Sequence, residues 1–176
     1  SHVHVFDVEK KTAKQLSRGN YDDSGIAWAP DGRSIAFTSN RSEEPDANFN
    51  TDIFVVPADG TAEPRRVTTS EAAESSPLFT PDGREIVYTI GGSPKDIWYA
   101  TNNILIADLQ NPVAAPRVLT QGLDRNVGAP RFADASSILL IVEQPLYTHL
   151  ARVPAAGGAL SLVTKERDIA GYDAAG

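Results

Sequence analysis

The sequence predicts an all-β fold and, within that class, a β-propeller built of four-stranded antiparallel blades. Three observations predict it. A Pro-Asp-Gly turn sits between short apolar runs twice, at Pro30-Asp31-Gly32 and Pro81-Asp82-Gly83. The residues around the two turns repeat with a single spacing of 51. Each repeat holds four short runs of strand character and no amphipathic helix. Four antiparallel strands recurring every ~40–50 residues are propeller blades; a β-solenoid repeats at far shorter intervals.

The first two strands, a and b, flank the turn. Ile26-Ala27-Trp28-Ala29 enters it and Ser34-Ile35-Ala36-Phe37-Thr38 leaves it. Pro30 presets φ, Asp31 bonds backbone groups within the turn, and Gly32 takes the positive φ that a side chain resists. Runs joined this closely form an antiparallel hairpin. In the second copy Trp28 becomes Phe79, Asp31 becomes Asp82 and Ile35 becomes Ile86. The third strand, c, is Ile53-Phe54-Val55-Val56, repeated as Ile104-Leu105-Ile106-Ala107. Its apolar character on both faces marks a buried central strand. The fourth, d, is Arg66-Val67-Thr68-Thr69, repeated as Arg117-Val118-Leu119-Thr120, with the mixed character of an outer edge.

In chain order, residues 1–17 supply strands c and d of an incomplete blade, with Val5 and Leu16 one period before Val56 and Val67. Residues 25–69 and 77–120 are complete blades. Residues 130–164 are a third, whose turn, Ala133-Asp134-Ala135-Ser136, lacks Pro and Gly and is one residue shorter. Residues 165–176 lead toward a further blade. The chain thus reads as a single partial propeller of about three and a half blades. Three and a half blades do not close a ring, so the sequence is expected to be a fragment of a longer chain or a half that associates with another copy.

The chain has 16 basic and 23 acidic residues, a net charge of −7. That argues against nucleic acid or an anionic membrane surface as partner, since both require a positive face. No cysteine is present, which excludes disulfides and thiolate metal sites and leaves the compartment open between cytoplasm and periplasm. No apolar run approaches the ~18 residues of a membrane span.

The loops between strands b and c carry what chemistry there is. In the first, Asp46, Asn48, Asn50 and Asp52 imitate the start of a calcium loop, but the sixth position is Thr51 and the twelfth Pro57, so a solvated Asx-rich turn is expected and no metal. The second carries Trp98 and Tyr99, which could rim a pocket or cover the blade edge. The connector after it holds Arg125. These three are the candidate substrate-gating residues. Gly91-Gly92-Ser93-Pro94-Lys95 fails as a nucleophile elbow because it ends in Lys and lies in a loop. Of the three histidines, His149 reads as a surface or edge residue of the last strand c. No catalytic residue and no cofactor are assigned.

The turn motif Trp28-Ala29-Pro30-Asp31-Gly32-Arg33 resembles the repeat of TolB-like propellers. The longer pattern is similar to the amino-terminal propeller of prolyl oligopeptidase family serine peptidases, in the branch of the acylaminoacyl- and dipeptidyl-peptidases. It comprises Phe37-Thr38-Ser39-Asn40-Arg41, Thr51-Asp52-Ile53-Phe54-Val55-Val56, Pro94-Lys95-Asp96-Ile97-Trp98-Tyr99, Leu123-Asp124-Arg125-Asn126-Val127 and His149-Leu150-Ala151-Arg152-Val153-Pro154. The resemblance implies a propeller standing over an α/β-hydrolase domain of the same parent chain, restricting access to peptide substrates. The Ser, Asp and His of such an enzyme belong to that other domain. A non-catalytic TolB-like propeller that binds a protein partner is the alternative the same turns allow.

Overall fold

The structure, a computed structural model, describes residues 1–96, 99–111, 114–165 and 168–174. It contains fourteen strands in four antiparallel sheets. β1 (His4–Asp7) and β2 (Thr12–Gln15) form a two-stranded half blade. Blade 1 is β3 (Asp23–Trp28), β4 (Ser34–Ser39), β5 (Asp52–Pro57) and β6 (Arg65–Arg66). Blade 2 is β7 (Glu74–Phe79), β8 (Glu85–Ile90), β9 (Asn103–Asp108) and β10 (Arg117–Val118). Blade 3 is β11 (Val127–Asp134), β12 (Ser137–Glu143), β13 (Thr148–Pro154) and β14 (Ser161–Leu162). Each blade is a meander in sequence order, as the repeat predicts. Among the described residues no helix is long and apolar enough to cross a membrane.

The core lies between blades, which is why the middle strands are apolar on both faces. Ile35 and Phe37 of β4 pack with Phe54 and Val56 against Val3 and Leu16 of the half blade. Ala36, Ile53 and Val55 face the other way, onto Ile86, Tyr88 and Leu105 of blade 2. Val87, Ile104 and Ile106 then meet Ile138, Leu140 and Val142 of blade 3. Fully burying each Ile or Phe contributes about 1.5–3 kcal/mol, so three inter-blade layers hold the arc together.

The turns work as their residues require. Asp31 Oδ1 accepts from the Arg33 N–H at 2.9 Å, and Asp82 Oδ1 from Arg84 at 3.1 Å. Gly32 and Gly83 take φ of 68° and 71°. The worn third turn keeps the same device: Asp134 Oδ1 accepts from the Ser136 N–H at 2.8 Å, and Ser136 and Ser137 hydroxyls add two more bonds. Those bonds hold the Asp134 carboxyl at about 2.

Two sequence alignments shift by one residue. By pairing, Arg66 opposite Phe54 corresponds to Val118 opposite Leu105, a spacing of 52 rather than 51. Val5 lies opposite Lys14 as Val55 lies opposite Arg65, so Val5 matches Val55 and not Val56. The cause is the c–d turn, whose length varies between blades while the strands it joins keep their register. The inner strands also start earlier than the apolar runs suggest, at Asp23, Glu74 and Val127. Each contains a bulge after its second residue, so its polar beginning is still paired. A residue of positive φ sits in each bulge: Gly25 at 58°, Ser76 at 53° and Ala129 at 51°.

Two interactions recur beside the ladders. After each strand d a hydroxyl accepts from an N–H at the start of strand c or just before it: Ser17 from Val3 at 2.8 Å, Thr68 from Ile53 at 2.9 Å, Thr120 from Ile104 and Thr164 from Leu150, both at 3.0 Å. In addition, a basic residue on strand d reaches a carbonyl of the next blade. Lys14 bonds Asp59 O, Arg65 bonds Leu109 O at 3.4 Å, and Arg117 bonds Ala156 O at 3.3 Å.

His149 is not a surface residue. It is 5% exposed, opposite Val142 in β13, with its ring 6.0 Å from that of Tyr147. It stands on the face of β13 turned to blade 2, with Ala151 and Val153, which is buried, whereas Arg152 on the other face is exposed.

Candidate functional site

The b–c loops and the d–a connectors share one end of the blades, opposite the Pro-Asp-Gly turns. Segments 16–23, 40–51, 67–74, 91–96, 99–102 and 119–126 build this face. They carry nine carboxylates against four Lys and Arg side chains. The loop after β12 is short by comparison, closed by Gln144 N–H donating to Tyr147 O at 2.8 Å.

The first loop is braced by two asparagines. Asn40 Nδ2 donates to Pro45 O at 3.1 Å and to Asn48 Oδ1 at 3.0 Å. Asn48 Nδ2 donates in turn to Ser42 Oγ at 2.9 Å and Glu44 O at 2.7 Å. Asn48 is thereby engaged within the loop, and Asp52 is already inside β5, paired with Arg66 at 2.7 Å. The alternation that imitates a calcium loop therefore spans a loop brace and a strand. Phe49 stands out from the loop, 72% exposed.

Arg41 anchors this loop to the blade. Its guanidinium lies 4.4 Å from the Phe54 ring centroid, 5.2 Å from Tyr21 and 5.5 Å from Phe37. Its Nη2 is 3.6 Å from Asp23 Oδ1, and both side chains are well buried. Stacking on aromatic faces suits a guanidinium, which is weakly hydrated and planar. Asp23 also accepts the Ser17 hydroxyl and lies 3.7 Å from His2 Nδ1. Serine, aspartate and histidine thus meet here, but in the wrong order for acyl transfer. The hydroxyl is bonded to the carboxylate and not to the imidazole that would have to take its proton.

Two clefts open on the face. The larger, about 710 Å³, lies between Ser1, His2, Tyr21 and the braced loop at Asn48 and Phe49. The smaller, about 300 Å³, joins the two long loops between Phe49, Glu71, Gly92 and Pro94. The second loop is a compact turn. Asp96 N–H donates to Ser93 O at 2.9 Å, and Tyr99 N–H donates to Asp96 O at 2.8 Å. Asn102 N–H donates to Asn126 Oδ1 at 3.1 Å, tying the loop to the following connector.

Of the three sequence candidates, Trp98 lies outside the described residues. Tyr99 is 90% exposed on the second loop. Arg125 lies on the adjacent connector, half-exposed, with Nη1 3.6 Å from Asp124 Oδ2. Tyr99 and Arg125 share the loop face, and no hydrogen bond joins them. Sequence reading missed Asp23, Arg41 and Glu74. Their one signal is an acidic residue two positions before the bulge residue of each of the first two inner strands. Among the described residues the face holds no nucleophile–base pair. What the face offers is shape, negative charge and aromatic surface.

No family model matches the chain. In sequence it is 45% identical over 80 residues to dipeptidyl-peptidase 5 of Trichophyton equinum, covering 40% of this chain and 10% of that protein. The dipeptidyl-peptidase 5 of Arthroderma benhamiae matches at 44% over the same length. The chain spans about a tenth of the length of the curated relatives it matches. In structure it resembles a puromycin-hydrolyzing peptidase of Mycobacterium tuberculosis, with TM-score 0.72 and 18% identity over 93% of this chain and 27% of that one. It resembles TolB of Acinetobacter baumannii at TM-score 0.66 and 18% identity, over 93% and 37% of the two chains. The β-propeller domain of the trilobed protease of Pyrococcus furiosus matches at 0.63 and 15%, over 93% and 46%. The chain is three and a half blades of a β-propeller, similar in sequence to dipeptidyl-peptidases and in fold to peptidase and TolB propellers.

Proposed function

We propose that this chain is propeller from a serine peptidase, standing over an α/β-hydrolase domain of the same protein and limiting which peptides reach it. The observation that carries the reading is the 45% identity to dipeptidyl-peptidase 5 over 80 residues. The loop face supports it: two clefts of about 710 and 300 Å³, an excess of carboxylates and, among the described residues, no reactive pair suit a filter. Trp98, Tyr99 and Arg125 are the residues proposed to rim the entrance. The alternative, a TolB-like scaffold for a protein partner, has the fold on its side but not the sequence identity. Self-association of the open propeller is proposed as a further property, checked by the oligomeric state of the chain in solution.

The test is hydrolysis of chromogenic aminoacyl and dipeptidyl substrates by the full-length gene product. Hydrolysis abolished by a serine-directed phosphonate is expected. Replacing Tyr99 and Arg125 by Ala should then raise activity on long peptides relative to dipeptides. No hydrolysis across a broad panel overturns the reading in favour of the scaffold.

A further inference from the structure

Blades 1 and 2 do not meet over their whole depth. β6 is two residues long, and beside it blade 2 faces a cleft of about 470 Å³. Val67 from blade 1 and Ile90, Leu105 and Ala107 from blade 2 give it an apolar wall, and Thr68, Thr69 and Ser70 also line it. One end differs. There Glu74, 1% exposed, lines the cleft beside Tyr88, and its Oε2 is buried with no hydrogen-bond partner. The neighbouring cation is committed elsewhere. Arg66 donates through Nη2 to Asp52 at 2.7 Å and through Nε to Thr68 O at 2.8 Å. Two buried carboxyl groups therefore share one guanidinium, and the second faces the cleft.

We propose that this inter-blade cleft binds an organic amine, with the ammonium on the Glu74 carboxylate and the apolar tail along Val67, Leu105 and Ala107. A buried carboxylate whose Oε2 has no partner is unfavourable, and an ammonium supplies both the missing charge and a donor for that oxygen. A hard metal ion suits the cleft less well, because it requires six or more oxygens, and the lining offers one carboxylate and three Ser or Thr hydroxyls beside an apolar wall. The site lies between blades 1 and 2, its polar end in the 67–74 connector that borders the loop face, and it is a different cavity from the two clefts of that face, so it goes beyond the filter role. Burial pushes Glu74 up to about 7, Asp52 adds to the shift, and Thr68, Ser70 and Arg66 oppose it. Asp52 and Arg66 from blade 1 and Tyr88 from blade 2 are the titratable and charged groups facing it. An alkylammonium keeps its proton at neutral pH, its pKa being near that of Lys at about 10.4. Binding must therefore strengthen as Glu74 ionises.

The experiment is a titration of the isotope-labelled chain with n-hexylammonium chloride and, separately, with n-hexanol. Saturable shifts of Tyr88, Leu105 and Ala107 resonances are expected with the amine, and binding at least about tenfold weaker with the alcohol. Glu74→Gln should lose about tenfold for the amine and nothing for the alcohol. Should that variant fail to fold, the parent chain still decides. Amine affinity should fall by about five- to tenfold from near pH 8 to near pH 6, while alcohol binding stays level. Equal binding of amine and alcohol, no saturation, a level amine profile across that range, or a Glu74→Gln variant that keeps the amine within twofold would each overturn the proposal.

Discussion

Ser76 stands, with a φ of 53°, in the bulge position that Gly25 occupies one blade earlier with a φ of 58°. The inner strand needs a left-handed residue there to bend, and only the first blade supplies glycine. A side chain in that region costs about 1–2 kcal/mol, partly offset because glycine loses more entropy on folding. Ser76→Gly is therefore expected to stabilise the chain, by about 0.5–1 kcal/mol in urea unfolding. Gly25→Ala should do the reverse. It adds the same strain and brings a Cβ to 3.1 Å from Thr38 Oγ1 and 3.4 Å from Pro77 Cδ. A loss of about 1–2 kcal/mol is expected. Equal effects of the two substitutions would show that the bulge conformation carries no strain.

Strands a, b and c were legible because their signals are local. The Pro-Asp-Gly turn fixes the hairpin, and a strand apolar on both faces can only lie between neighbours. Strand d was legible in kind but not in register. Its place is set by c–d turns of differing length, and two paired residues per strand leave little pattern to read. Strand d reads as an outer edge of mixed character, and Lys14, Arg65 and Arg117 lie on it. They are also a line of inter-blade staples, which periodicity cannot show because their acceptors are backbone carbonyls. The anchoring of Arg41 on Tyr21, Phe37 and Phe54 joins residues from a connector, two strands and a loop, so no spacing in the sequence announces it. His149 was misplaced for a related reason: a polar residue was taken as exposed where its face of the strand is buried.

The hydroxyl after each strand d gives a second prediction. Thr120 is 4% exposed, and its Oγ1 accepts from Ile104 N–H at 3.0 Å. Thr120→Val keeps shape and leaves that buried N–H without an acceptor, so a loss of about 1–3 kcal/mol is expected. Thr164→Val, at the half-buried counterpart in blade 3, should cost less, since water can reach the freed Leu150 N–H. Chemical denaturation of both variants checks the order; a larger loss at Thr164 would refute it. Hydrogen exchange at Ile104 N–H should quicken in the first variant alone.

Arg117 joins two partners across a seam, Glu85 at 3.0 Å and Ala156 O at 3.3 Å. Both side chains are partly exposed, so screening limits the pair to about 0.5–1 kcal/mol. A double-mutant cycle of Arg117→Met with Glu85→Gln should return a coupling of that size at low salt, falling toward zero near 1 M. Coupling that does not respond to salt would place the pair in a drier setting than its exposure indicates.

Glu74 gives the chain a pH dependence of definite sign. Its carboxyl moves from an ordinary 4.5 in the unfolded chain to about 7 in the fold, chiefly through burial. Between those values the folded state holds a proton that the unfolded state has released. Raising the pH therefore favours unfolding, and stability falls from about pH 5 to about pH 7 and then levels off. The full shift corresponds to roughly 3 kcal/mol, and solvent entering through the cleft reduces this to about 1–2. Asp134, held low by hydrogen bonds, titrates in the opposite sense and only in acid, so its effect does not overlap. Glu74→Gln removes the titration while keeping a neutral side chain of the same shape. The variant should match its parent near pH 5, exceed it by about 1–2 kcal/mol near pH 8, and show a level profile between. Thermal melts across that range read the difference directly. A slope that persists in the variant would assign the titration to another group. A parent more stable at pH 8 than at pH 5 would mean that the Glu74 carboxylate is stabilised within the fold and would remove the unmet need on which the amine site rests.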